Sequence, residues 1–168
     1  MNDGVGIRRA VPSDADLLVE LQSMVQTSQD SNWHEVLPWH LWLTDSQFFT
    51  YVAEQSVLIG AVAVGPIRDS DLVGDDLLDG NPGEIIAWFI HPDQDYQKLG
   101  RKLLVHGLTV LKRCFFESAV IWVASNSKTA PAVIQSLHFW DTGLERVRNL
   151  SSKSINENCY KLHLGSYF

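Results

Sequence analysis

Cysteine is scarce in this chain. Cys114 and Cys159 stand far apart in apolar surroundings, with no CxxC pair and no zinc-type spacing. That excludes a disulfide scaffold and a structural zinc site. It reads as two buried free thiols in a reducing compartment, so a cytoplasmic protein is expected. No apolar run approaches the ~20 residues needed to cross a bilayer. The first residues carry Asp3 and no apolar core, so neither an export signal nor a membrane partner is expected. Basic residues are in the minority. Thirteen Lys and Arg stand against 20 Asp and Glu, giving a net charge of −7, and the pI is near 5.2. A nucleic-acid partner would call for a basic face, so none is expected. There is no internal repeat and no low-complexity tract. What remains is ordinary globular material: 168 residues, 45% apolar and 20% charged, enough for one well-cored domain over residues 1–168.

The informative stretch is 84–116. Ile85, Ile86, Ala87, Trp88, Phe89 and Ile90 form a near-continuous apolar run, as expected of a strand buried on both faces. Pro92 has no ladder donor and biases His91 towards an extended conformation, so the strand should end there. Leu99, Leu103, Leu104, Leu108, Leu111 and Phe115 then recur at helical spacing. A loop that feeds a helix start presents unpaired N–H groups and the positive end of the helix dipole. Such a place binds anions, phosphates above all. Lys98, Arg101 and Lys102 lie where cations oppose the dipole but would suit a polyanion.

Residues 6–11 read as a first strand. A helix follows, with Ser13 as N-cap and Leu17, Leu18, Leu21 and Val25 as its stripe. Residues 27–42 crowd Trp33, His34, Trp39, His40 and Trp42 into a segment without clear period. They either wall a pocket or cover the core. Residues 48–54 and 57–64 read as an antiparallel hairpin about Gln55-Ser56, its second strand ended by Gly65-Pro66. Residues 68–83 form an acidic loop without an EF-hand pattern, so no metal site is expected. Residues 118–124 read as a buried strand and 129–137 as a helix that tolerates Pro131 in its first turn. Asp141-Thr142-Gly143 reads as a turn before two last strands, 144–150 and 158–164.

The strand, His91-Pro92, the loop with Gly100, and the Arg101-Lys102-Leu103-Leu104 helix together resemble the cofactor segment of the GNAT superfamily of N-acyltransferases. The order β-α-(α)-β-β-β-α-β-α-β-β resembles that family along almost the whole chain. The family loop has the form Q/R-x-x-G-x-G/A. In the gap-free register its last glycine falls on Gly100, its first on Lys98 and its leading residue on Asp95. A second register starts at Gln97, with Gly100 as first glycine and Lys102 in the last small position. The family's frequent proton-donating tyrosine falls on Ile134 or Val133.

The resemblance implies an α/β (α+β) fold with a mixed sheet of about six or seven strands flanked by about four helices in three layers. It implies acetyl transfer from acetyl-CoA to a primary amine of a small molecule or peptide. A homodimer is compatible with it. Glu84 is the implied base, acting directly or through water. Trp88, Phe89 and Ile90 would offer backbone groups to the pantetheine, and Asn126 lies near the same arm. Backbone N–H groups of Tyr96, Gln97, Lys98, Leu99, Gly100 and Arg101 would hold the pyrophosphate. Trp33 and Trp39 would wall the acceptor site. The competing reading is a GNAT-fold module that binds or regulates without turnover, favoured by Asp95, Lys98 and the missing tyrosine.

Overall fold

The computed structural model describes residues 4–26, 37–68, 80–149 and 154–166. Its seven strands form one mixed sheet in the order β1-β2-β3-β4-β5-β7-β6. They are β1 (Gly6–Arg9), β2 (Phe49–Glu54), β3 (Leu58–Pro66), β4 (Pro82–Ile90), β5 (Ser118–Ala124), β6 (Trp140–Asn149) and β7 (Ser154–His163). Four α-helices accompany them: α1 (Ala15–Gln26), α2 (Trp39–Trp42), α3 (Tyr96–Arg113) and α4 (Ala130–Ser136). All neighbours in the sheet are antiparallel except β4 and β5. That one parallel pair needs a crossover, and α3 supplies it. The mixed, three-layer architecture is the one the sequence implies.

The two faces carry separate cores. Leu99, Leu103, Leu104, Leu108 and Leu111 of α3 pack with Val133 and Ile134 of α4 on one face. Leu18, Leu21 and Val25 of α1 pack with Trp39, Trp42, Ile86, Ala87 and Phe89 on the other. β3, β4 and β5 are covered on both sides, which explains their unbroken apolar runs.

Several local expectations are corrected. Ser13 does not cap the first helix. The Asp14 carboxylate instead closes the 3-10 turn ahead of it, accepting from the Val11 N–H at 2.8 Å and from the Arg8 guanidinium at 2.8 and 2.9 Å. A short 3-10 turn, Pro12–Asp14, therefore precedes α1. Phe115 does not extend the apolar face of α3. The helix ends at Arg113, and Phe115 sits beyond it at φ +67, 87% exposed. Phe116 turns inward instead and packs against the core. β3 continues through Gly65 and Pro66, because these still face Glu84 and Gly83 of β4. Residues 141–143 are no turn between elements. β6 runs through them as a wide bulge, with the Gly143 N–H on Asp141 Oδ1 at 2.8 Å and the Thr142 hydroxyl donating to Cys159 O at 2.9 Å. Among the described residues no helix is long and apolar enough to cross a membrane.

Candidate active site

Two irregularities of β4 shape the centre of the molecule. Across β3, Ala63 faces Ala87 and Val64 faces Ile85, so Ile86 is an extra residue. The bulge turns Ile86 and Ala87 to the α1 face in succession, while Ile85 and Trp88 both face α3. The second irregularity lies on the other side of the strand. β4 and β5 pair from Pro82↔Ser118 to Ile85↔Ile121 and no further, although β4 runs on to Ile90 and β5 to Ala124. The strands splay beyond that point and leave a wedge. The backbone directions along β4 follow from one bond. The His91 N–H donates to Ile59 O of the preceding segment at 2.8 Å. Backbone groups alternate sides along a strand, so Phe89 also turns towards β3, whereas Trp88 and Ile90 turn towards the wedge. Two of the three expected backbone positions thus meet there. Phe89 does not, and its ring lies on the opposite face against Trp39 at 5.8 Å.

Glu84 stands where the wedge begins. It is 3% exposed, not an open strand end, and faces the α1 side of the sheet beside Val120 of β5. Its Oε2 accepts from the Arg68 backbone N–H at 3.0 Å, and the Arg68 guanidinium lies 3.6 Å from Oε1. Arg68 in turn lies over the Trp42 ring at 5.2 Å, and Trp42 packs on Phe48. The carboxylate is therefore buried, oriented and charge-matched.

The start of α3 lies at the far end of the wedge. Asp95 is the N-cap, and its carboxylate accepts from the Lys98 N–H at 3.1 Å. The Leu99 N–H already donates to Asp95 O at 3.0 Å. Gly100 and Arg101 follow at positions with an i−4 carbonyl inside the helix. Of the six expected amides, Tyr96 and Gln97 precede the first helical acceptor, and Lys98 points at the cap. Gly100 has a packing role as well. Its carbonyl accepts from Trp88 Nε1 at 2.9 Å, and a Cβ there would meet Trp88 Cζ2 at 3.1 Å. Lys98 and Lys102, one turn apart, line a pocket of about 320 Å³ with Gln94, Asp95, Val5 and Gln55.

The remaining expectations divide. Asn126 is exposed in the loop after β5, near the mouth of the wedge. Trp39 is fully buried, with Nε1 donating to Gln22 Oε1 at 3.0 Å, and so belongs to the core. Trp33 lies outside the described residues, as do residues 69–79 of the acidic loop. Val133 and Ile134 are buried apolar helix positions.

The sequence reading missed the charged strand face next to Glu84. On β7, Glu157, Cys159 and Lys161 are buried on one side. Glu157 accepts from Arg146 Nε at 3.0 Å and lies 3.1 Å from Arg148 Nε. Arg146 stacks over Trp122 at 4.2 Å. Burial pushes the Cys159 thiol up to about 11; the nearby charges of Arg146, Glu84 and Lys161 act on the same group. The only sequence signal was the phase of these residues, two apart with Ile155, which puts polar groups on an inward face.

The sequence matches the Acetyltransferase (GNAT) family over residues 17–139. This chain belongs to that family. No curated protein matches it in sequence. Among solved structures, it is similar to yncA, a putative acetyltransferase from Salmonella typhimurium determined with acetyl-CoA. The TM-score is 0.74 at 20% identity, covering 96% of this chain and 95% of the other. It is also similar to the ribosomal-protein-S18-alanine N-acetyltransferase of Escherichia coli, with TM-score 0.69, 12% identity and coverage of 95% and 94%. A third likeness is Arabidopsis thaliana NAA60 in complex with a bisubstrate analogue, with TM-score 0.76, 11% identity and coverage of 95% and 97%. At these identities the likeness speaks for the fold.

Proposed function

We propose that this protein is an N-acetyltransferase that moves an acetyl group from acetyl-CoA to a primary amine of a small molecule or peptide. The observation that carries the proposal is the wedge between β4 and β5, with a buried carboxylate where it begins and a helix start where it ends. When bound, acetyl-CoA supplies the activated acyl group. The residues here fit it. The backbone of Trp88 and Ile90 would hold the pantetheine arm, in the manner of an added strand. Tyr96, Gln97 and the Lys98 ammonium would hold the pyrophosphate, with Lys102 beside them. Asn126 would close on the arm from β5.

Glu84 would take the proton from the acceptor ammonium, directly or through a water. Its hydrogen bond from the Arg68 N–H fixes one oxygen, and the Arg68 guanidinium lies 3.6 Å from the other. The known structures with acetyl-CoA and with a bisubstrate analogue belong to proteins of the same fold and support this reading.

A second reading, a module that binds without turnover, draws support from Asp95. Its carboxylate already sits at the end of α3 where a pyrophosphate would lie.

Calorimetric titration with acetyl-CoA, followed by thiol release over an amine panel, separates the two. Micromolar binding with turnover that Glu84→Gln lowers by about 10²-fold supports the enzyme. Binding without turnover on any amine leaves the module. Lys98→Ala should weaken acetyl-CoA binding several-fold, and unchanged affinity would remove Lys98 from the site.

A further inference from the structure

The chain as a whole is acidic, but the strand face beside Glu84 is not. Around Cys159 the described residues bring together four cations, Arg68, Arg146, Arg148 and Lys161, and two carboxylates, Glu84 and Glu157. Each of these groups has partners, and the sign of the local sum is positive. The arrangement is also directional. Glu84 faces Val120, and Val120 faces Lys161 across β5 and β7. Trp122 lies two residues further along β5, on the same side as Val120. With ~4.8 Å between strands and ~6.6 Å per residue pair, the Trp122 Cα lies roughly 8 Å from that of Glu84. The Arg146 guanidinium carbon lies over that ring, 4.2 Å from its centre, and pairs with buried Glu157.

A stacked guanidinium keeps its N–H fork in one plane, which matches a planar carboxylate. Across the site, Arg68 over Trp42 forms a second such stack, and this one holds Glu84. One stack therefore orients the base. The other holds a cation over the Trp122 ring, on the same side of the sheet as Glu84. Helix α1 packs on β3 and β4, and Glu84, Trp122 and Lys161 are each buried, at 3, 4 and 5% exposed.

We infer that the acceptor is an amine that also bears a carboxylate, such as a free amino acid. Its carboxylate would be held at Arg146 over Trp122, with Lys161 beneath, and its amino group directed to Glu84. This inference rests on the acetyl-transfer reading and selects among its substrates.

The test uses matched pairs: free L-amino acids and their carboxamides, each assayed for turnover with acetyl-CoA and for direct binding by calorimetry. The expected result is a kcat/KM at least about tenfold higher for the acids. That ratio should collapse in Arg146→Gln, recover in part in Arg146→Lys, and weaken in Lys161→Met. A ratio is insensitive to a uniform loss of folded enzyme, so a merely structural role for Arg146 would leave it unchanged. Turnover with a ratio near one overturns the inference and leaves the acetyl-transfer reading intact. Acids that bind but are never acetylated support the anion site and overturn the reading. Failure of every pair both to bind and to react overturns both.

Discussion

Replacing Phe115 by glycine should make this protein more stable. The end of α3 closes by two bonds, Phe115 N–H to Lys112 O at 3.0 Å and Phe116 N–H to Leu111 O at 3.2 Å. That pattern places the residue after the cap in a left-handed conformation, and Phe115 is there at φ +67. A side chain in that region costs roughly 1–2 kcal/mol. Glycine removes the strain but loses more backbone entropy on folding, about 0.5–1 kcal/mol. The ring is 87% exposed, so its removal forfeits little burial. The Asn81 side chain donates to the Phe115 carbonyl at 3.1 Å, a bond that survives the change. The balance favours Phe115→Gly by about 0.5–1 kcal/mol, or a Tm rise of ~1–4 °C for a chain of this size. Urea denaturation beside Phe115→Ala is the measurement. Alanine keeps the strain and also loses the ring, so it isolates the backbone effect. If the glycine variant is no more stable than the alanine variant, the strain argument is wrong.

Other outcomes follow from the same geometry. Arg8 and the Val11 amide hold the Asp14 carboxylate below its usual range, the Arg8 bonds being the larger cause. A depressed carboxyl stabilises the fold above its unfolded pKa, and this is lost as pH falls through its folded value. Asp14→Asn should therefore cost roughly 2 kcal/mol at pH 7 and much less at pH 2, read from urea midpoints; an equal cost at both pH values would contradict this. Gly100→Ala should destabilise by about 1 kcal/mol despite alanine's helix preference, because Trp88 is tethered against it; thermal melts decide the sign. In native protein a thiol reagent at pH 8 should titrate Cys114 and spare Cys159, which burial keeps protonated and covered; both should react in guanidinium. Asp95→Asn keeps a good cap while removing its charge. It should tighten acetyl-CoA binding about two- to fivefold by calorimetry, and weaker binding would show that the carboxylate is not in the anion's way.

The sequence disclosed the elements whose burial is regular. The unbroken apolar run 85–90 and the leucine spacing of α3 could be placed because periodicity and burial agree there. Local errors arose where a side chain replaces a backbone rule. Asp14 rather than Ser13 closes the first turn because Arg8 of β1 holds it in place. Residues 141–143 bulge rather than turn because β7 continues alongside them. In the site, Glu84 could be named through the family resemblance, but not its burial against Arg68. The pairing of Glu157 with two arginines was illegible, since it joins residues on separate strands. Asp95 carried a visible charge, yet only the folded helix reveals that it accepts from the Lys98 N–H.

The seam between β4 and β5 also governs how the molecule can move. Four residue pairs join β1–β4 to the β5-β7-β6 group within the sheet, and α3 spans the join through its packing on both sides. Within the sheet the two strand groups thus meet as two leaves at a short seam, with Glu84 in the seam line. Amide exchange should divide along it, each leaf opening as its own cooperative block. On the acetyl-transfer reading, a cofactor lying between the leaves would bear on their angle, and with it on the separation of Glu84 from Trp122 and Arg146.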